Sequence, residues 1–320
     1  MLASDQFSAS PFGIVRMRLG ERAAPYYKYL LLMPLGLLLV VCFLGPLVSL
    51  FRVSLYDSGG ESGFGIGGAQ GGGFYREGTW TLANYVRFFG DSYFREITVF
   101  TIEFALLVTV LTMLLAYPFA YYIYKAKPLL KVVLLIVVIL PKLSNMLVLV
   151  YGIEILLSNN GWVNDALVAL GLVHMPVTLV HVLFSMTVGK VLLILPYTVL
   201  VIAAGLHRLD SSLREAARGM GAGPVRVFMS VTLPLSLPST TIALLITLIW
   251  GLGAFVSPSL LGNPDLQTLA VEVPKQTFED VNWPMGSAVA FVMLTLVSVV
   301  VLVFNMAIGT SASWRGRATR

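Results

Sequence analysis

Glu215-Ala216-Ala217-Arg218-Gly219-Met220-Gly221, followed by Val231-Thr232-Leu233-Pro234, is a short polar stretch set between two long apolar ones. Just before it, Ser212-Leu213-Arg214-Glu215 has the spacing of a capping box. In that motif the Ser212 hydroxyl accepts from the Glu215 amide, and the Glu215 carboxylate reaches back to the Ser212 amide. A short helix is expected from there to about Met220. Gly221 suits the left-handed residue that ends a helix, because no Cβ opposes a positive φ. Gly223-Pro224 restarts the chain, with Pro224 at a first helical position where its missing N–H goes unused. Leu233-Pro234 and Pro238 are expected to break the chain again. Local physics gives a helix–turn–helix knuckle between two hydrophobic segments.

The flanking chain is too apolar for water. Of its 320 residues 57% are hydrophobic and 12% charged, with a mean hydropathy of +0.86, whereas soluble domains carry about 25% charged residues. The single Cys42 excludes a disulfide framework and a Cys-based zinc site. A bilayer-crossing helix needs roughly 20 mostly apolar residues. Six segments qualify, at about Tyr29–Phe51, Ile97–Tyr124, Val132–Leu157, Leu179–Leu206, Pro238–Leu261 and Pro284–Gly309. The first is too long for the apolar stretch of a cleaved signal peptide and has no clear small-x-small site behind it. The expected fold is an all-α integral membrane protein with six transmembrane helices.

The net charge of +5 follows topology rather than a nucleic-acid surface. Arg16, Arg18, Arg22 and Lys28 precede the first span. Lys125, Lys127 and Lys131 lie between the second and third, and Arg208, Arg214, Arg218 and Arg226 between the fourth and fifth. Arg315, Arg317 and Arg320 follow the sixth. The positive-inside bias puts both termini and the knuckle in the cytoplasm. Asp57, Glu61, Glu77, Asp91, Asp165, Asp265, Glu279 and Asp280 fall on the other side. The expected layout is a cytoplasmic tail over residues 1–28, a six-helix domain over 29–309 and a second tail over 310–320. The domain includes an outer loop at 52–96 and a cytoplasmic loop at 207–237. In the first tail, Phe7, Phe12, Ile14 and Val15 beside Arg16 and Arg18 allow an interfacial helix. The glycine-rich run Gly59 to Gly73 reads as a flexible loop on the outer side. No G-x-x-x-x-G-K-[ST] phosphate loop occurs anywhere.

The knuckle sequence resembles the EAA loop of ABC importer permeases: E-A-A, three residues, G, nine residues, I, one residue, L-P. Every fixed position is met except one, Val231 standing where that family usually has Ile. The similarity extends over most of the chain and is greatest to the permeases of spermidine/putrescine-type importers. It is carried by Trp80-Thr81-Leu82-Ala83-Asn84-Tyr85, Val138-Ile139-Leu140-Pro141, Asn159-Asn160-Gly161 with Asn164, and His207-Arg208-Leu209-Asp210. Phe255-Val256, Pro258, Leu260-Leu261-Gly262 and Asn282-Trp283-Pro284 complete it. The resemblance implies a type I ABC importer permease fold, with two permease subunits, identical or homologous, enclosing one path in the bacterial inner membrane. It implies a dimer of ATPases below, binding ATP and Mg, and a periplasmic substrate-binding protein above. In that family Glu215, Ala216, Ala217, Gly221, Leu233 and Pro234 would form the coupling element that docks on the ATPase. A polyamine is the solute the resemblance favours; an anionic or zwitterionic organic solute is the alternative.

Of the charges inside the spans, one is expected on the path. Lys142, about 16 Å along the helix from Lys131, lies near mid-membrane after Pro141, where a cation faces a cavity or a partner. Trp250 and Phe255 are further path candidates, because Gly251 and Gly253 let neighbouring backbones approach. Glu103, Glu154 and Lys190 are expected to snorkel at the outer ends of their spans. Tyr117, Tyr121, Tyr122 and Tyr124 read as an aromatic belt at the inner surface. His174 and His181, seven residues apart, do not make a two-ligand metal pair. No paired acids, His cluster or activated Ser points to a membrane-embedded enzyme. No internal repeat points to an ion-coupled secondary carrier.

Overall fold

The computed structural model describes residues 33–57 and 79–317, with side chains through Met306. The proposed interfacial tail helix and the glycine-rich run lie outside the described residues. The chain divides into two units, one ending at Leu50 and one beginning at Phe51. The first is represented by helix α1 (Met33–Ser54) as far as Leu50, with a π turn at Val40–Leu44; the helix's last turn belongs to the second. The second holds α2 (Ala83–Gly90), α3 (Ser92–Lys125), α4 (Pro128–Leu143), α5 (Met146–Leu157), α6 (Trp162–Ala169), α7 (Leu183–His207) and α8 (Ser211–Gly219). It continues with α9 (Pro224–Leu252), α10 (Val256–Leu261), α11 (Leu269–Pro274) and α12 (Trp283–Arg317). Among the described residues every regular element is helical. Six stretches there are long and apolar enough to cross a membrane: Met33–Ser54, Ser92–Lys125, Met146–Ala169, Leu183–His207, Pro224–Leu252 and Trp283–Met306.

Three expected spans change, the first two for a backbone reason. The segment Val132–Leu157 is two helices, α4 and α5, parted at Ser144-Asn145, and the Asn145 side chain caps α5 by accepting from Leu147 N at 2.9 Å. The segment Pro238–Leu261 begins earlier, because α9 runs unbroken through Pro234 and Pro238. A π turn at Phe228–Thr232 makes this possible: Leu233 N–H reaches back five residues to Phe228 O, widening the helix where the Pro234 ring needs room. That helix stops at Leu252, and Leu261 belongs to the separate α10. The last helix runs past Gly309 to Arg317, so most of the expected 310–320 tail is helical.

The core of the second unit is the α3–α7–α9 trio. In lipid, apolar transfer gives helices little reason to associate; close packing and interhelical hydrogen bonds do so instead. Small residues supply the packing. Ala116 and Ala120 of α3, Ala203 of α7 and Ala243 of α9 are buried in one cluster with Ile123, Ile202 and Leu206. A Cβ at Gly205 would overlap the Ser239 side chain, and one at Gly251 would lie 3.0 Å from Ala105 Cα. Thr198 and Thr247 share a hydrogen bond of 2.9 Å, and Tyr117 and Ser236 one of 2.8 Å.

Asparagines and hydroxyls hold the loops by their backbones. Asn84 Nδ2 donates to Ser54 O and Tyr56 O, each at 2.9 Å. Asn164 donates to Ser158 O and Val177 O and accepts from Val177 N. Ser185 Oγ donates to Leu261 O at 2.9 Å, and Thr101 Oγ1 accepts from Leu269 N at 2.9 Å. The Ser185 bond fixes the end of α10 to the start of α7, and the Thr101 bond the start of α11 to α3.

Candidate functional site

The knuckle is α8, a tight turn and the first turns of α9. Its N-cap is Asp210, not Ser212: the Asp210 carboxylate accepts from Ser212 N at 2.9 Å, and the expected Ser212–Glu215 box does not form. An aspartate two residues nearer the N-terminus reaches the free amides first, and the helix starts at Ser211. Hydrogen bonds from the Ser212 backbone amide and then its side chain hold the Asp210 carboxyl below its ordinary range. The helix ends as expected, with Gly221 at φ +82° and Pro224 opening the next turn.

Freed from capping, Glu215 is exposed, as are Ala216 and Gly221. Ala217 is the exception on this helix: it is 7% exposed and packs inward. Leu233 and Pro234 are half-buried within α9. The knuckle's exposed surface therefore holds Glu215, Ala216 and Gly221, while Ala217, Leu233 and Pro234 serve its inner packing.

The tyrosines at the end of α3 face the knuckle more than they form a belt. The Arg214 guanidinium lies 4.7 Å from the centroid of the Tyr124 ring, which stands edge-on to His207. Tyr121 packs on Phe228 with centroids 4.9 Å apart and carries Lys125 at 4.3 Å. Tyr117 bonds Ser236, and Tyr122 alone of the four is exposed. One cation–π contact, Arg214 on Tyr124, ties α8 to α3, and two aromatic pairs tie α3 to His207 of α7 and Phe228 of α9.

Deeper in the bundle, Lys142 occupies the last turn of α4, where a cation complements the helix dipole. Its Nζ lies 4.1 Å from the Tyr197 ring centroid and 5.7 Å from that of Trp250, and the two rings are 5.0 Å apart. Lys142 and Trp250, two of the three expected path residues, therefore meet, and Tyr197 joins them. Tyr197 gave no separate signal in an apolar helix. Phe255 does not join the cluster; it is exposed at the start of α10. Lys190 is not at a wet interface: it is 6% exposed in α7 and lies within electrostatic reach of Lys142. Glu103 is exposed and Glu154 half-buried.

A polar network closes the other end. Glu272 is fully buried, accepts from the Tyr93 hydroxyl and from Gln276 Nε2, each at 2.8 Å, and has Lys275 Nζ at 3.8 Å. Lys275 donates to Tyr93 Oη at 3.0 Å, and that bond chiefly raises its pKa. A cavity of about 310 Å³ lies beside it, lined by Tyr93, Glu96, Phe100, Asp265 and Gln267. Among the described residues no three His, Cys, Asp or Glu side chains gather as metal ligands.

Residues 82–309 match the family model of the binding-protein-dependent transport system inner membrane component. The spermidine/putrescine transport system permease protein PotB of Escherichia coli (strain K12) is 29% identical over 224 residues, covering 70% of this chain and 81% of that protein. A bacterial ABC transporter involved in the import of the acidic polysaccharide alginate superposes with TM-score 0.70 at 17% identity, over 89% of this chain and 95% of that one. The MetNI methionine ABC transporter, in an inward-facing conformation, superposes with TM-score 0.52 at 18% identity, over 69% and 98% of the two chains. The bundle, the knuckle and the match over most of its length together show that this chain belongs to the family of inner-membrane components of binding-protein-dependent transport systems, as a multi-pass ABC permease subunit and not an enzyme.

Proposed function

We propose that this chain moves a small organic solute from a periplasmic binding protein into the cytoplasm, powered by a separate ATPase dimer that binds ATP and Mg. Carrying this reading is a knuckle whose exposed face, Glu215, Ala216 and Gly221, is free for a partner while its inner face is bound to the helix core. Small residues let another surface come close, and a helix set in a groove is a recurring docking mode. Ala217, Leu233 and Pro234 support that face from within. The Arg and Lys distribution supports a cytoplasmic side for the termini and the knuckle. A second permease subunit, identical or homologous, completes the path across the lipid.

ATP-driven closure of the ATPases would push on α8, and the Tyr124 and Phe228 contacts would pass that displacement to α3 and α9. The ATPase changes the solute path only by binding the two pore conformations with different affinity.

Lys142, Trp250 and Tyr197 are the path residues of this half. The likeness to PotB favours a polyamine. A polyamine passing Lys142 needs acidic groups from the second subunit, whereas an anionic or zwitterionic solute needs none. The charge on this half of the path supports the anionic solute better.

The test is uptake into proteoliposomes holding the complete importer. Uptake that requires both ATP hydrolysis and the loaded binding protein supports the reading. Uptake by this chain without the ATPase, driven by an ion gradient, would contradict it.

A further inference from the structure

Among the described residues two lysines of the bundle, the half-buried Lys142 and the buried Lys190, have no acid paired with them. Lys190 is 6% exposed. Among the described residues neither it nor Lys142 donates a hydrogen bond, and the one ion pair, Lys275 with Glu272, is elsewhere. Lys142 has partial compensation from the α4 C-terminus and the faces of Tyr197 and Trp250. Ring faces engage one side of an ammonium, which has three donors to satisfy. Lys190 has no such compensation, and Lys142, on the α4 helix packed against α7, carries the same charge. Like charges on neighbouring helices repel unless a negative charge joins them.

The geometry gives that charge a place. Lys190 and Tyr197 are seven residues apart on α7, two turns along nearly the same face and about 10.5 Å along the axis. Lys142 comes from α4 onto Tyr197, and Trp250 from α9 lies against the same ring. One cation and two aromatic rings from three helices thus converge, with Lys190 two turns along nearly the same face of α7.

We propose that Lys142 and Lys190, walled by Tyr197 and Trp250, form the subsite for a negatively charged group of the transported solute: a carboxylate, a sulfonate or a sulfate ester. This assignment rests on the importer reading above. The ammonium groups bind the anion, and the rings pack the carbon skeleton attached to it. A polyamine arriving here meets two positive charges and two rings, one already covered by Lys142.

The test uses cells expressing the complete importer, with or without this chain. They are fed a defined mixture of organic acids, sulfonates, sulfate esters, spermidine and putrescine, and depletion of the medium is followed by mass spectrometry. The wild-type chain should deplete an anionic member. Lys190→Gln and Lys142→Gln should each raise the KM for that solute at least tenfold while the ATPase and second permease still co-purify, and Lys190→Arg should recover most of the affinity. Chain-dependent depletion confined to spermidine or putrescine overturns the subsite, as does anion uptake unaffected by both Gln variants. Loss of the second permease from both Gln complexes would assign the lysines to the subunit interface and also overturn it. So would a retained anionic phospholipid that both variants lose with transport unchanged. If no solute is depleted in a chain-dependent way, the importer reading itself fails.

Discussion

The guanidinium of Arg214 sits 4.7 Å from the centre of the Tyr124 ring, joining the first turns of α8 to the last turn of α3. Arg214 Nε is buried and has no hydrogen-bond partner among the described residues, so the ring face is its principal neighbour. Cation–π contacts are worth about 0.5–2 kcal/mol, rising with desolvation. Arg214→Ala should therefore leave the ATPase bound but loosen transmission to the pore. The expected result is uptake reduced roughly tenfold, about 1.4 kcal/mol, with basal ATP hydrolysis little changed. Parallel assays of uptake and hydrolysis check it, and an equal fall in both would show a general loss of fold instead.

Asp210 sets where the knuckle begins. Hydrogen-exchange protection of the Ser211–Gly219 amides should fall in Asp210→Ala and persist in Asp210→Asn, since asparagine caps nearly as well. The pH dependence has a definite sign. The folded carboxyl is held below its ordinary value, near 3.9 when unperturbed, so its contribution is present above that value and lost as pH falls through the lower folded one. Protection in the wild type should drop in strong acid, and the Asn variant should lack that component.

Gly205 is required where α7 crosses α9. A Cβ there meets Ser239 Cβ as well as its hydroxyl, so rotation of the serine alone does not make room. Gly205→Ala should cost about 1–3 kcal/mol, seen as a Tm several degrees lower for the detergent-solubilised complex. Gly219→Ala is the control. A Cβ at Gly219 meets nothing within 4 Å, and alanine is the better helix former by up to about 1 kcal/mol.

At the opposite end, Tyr93→Phe removes a hydrogen bond to a fully buried carboxylate. Bonds to charged groups are worth about 1.5–3 kcal/mol, and thermal unfolding should report a loss of that order. The Lys275 ammonium in the same network has a raised pKa, first because it donates to the Tyr93 hydroxyl. Its contribution is complete below about pH 10.4 and is lost as pH rises through the raised value. The wild-type Tm should fall more steeply above that pH than that of Lys275→Met.

What was legible in the sequence, and what was not, follows from the solvent. Runs of apolar residues declare a span wherever they occur, so all six were visible, and Gly221 and Pro224 marked their turns because only special residues fit those backbones. In lipid both faces of a helix are apolar. No periodicity singled out Tyr197, and none separated a buried Lys190 from a snorkelling one. The parting at Ser144-Asn145 was hidden because Pro141, three residues earlier, offered a more obvious place to bend. Continuity through Pro234 was hidden because a π turn leaves no residue signature. Glu215 was read as a cap because its spacing from Ser212 allowed it, while Asp210, better placed, already did that work.

Co-purification of the ATPase with wild-type protein and with a Glu215→Ala, Gly221→Asp double variant tests the central claim most directly. An aspartate at Gly221 must adopt φ +82°, and it adds a negative charge to the proposed docking face. The account predicts a stoichiometric ATPase with the wild-type chain and a strongly depleted one with the variant, the second permease being retained in both. Equal ATPase in the two preparations, or none in either, would contradict it.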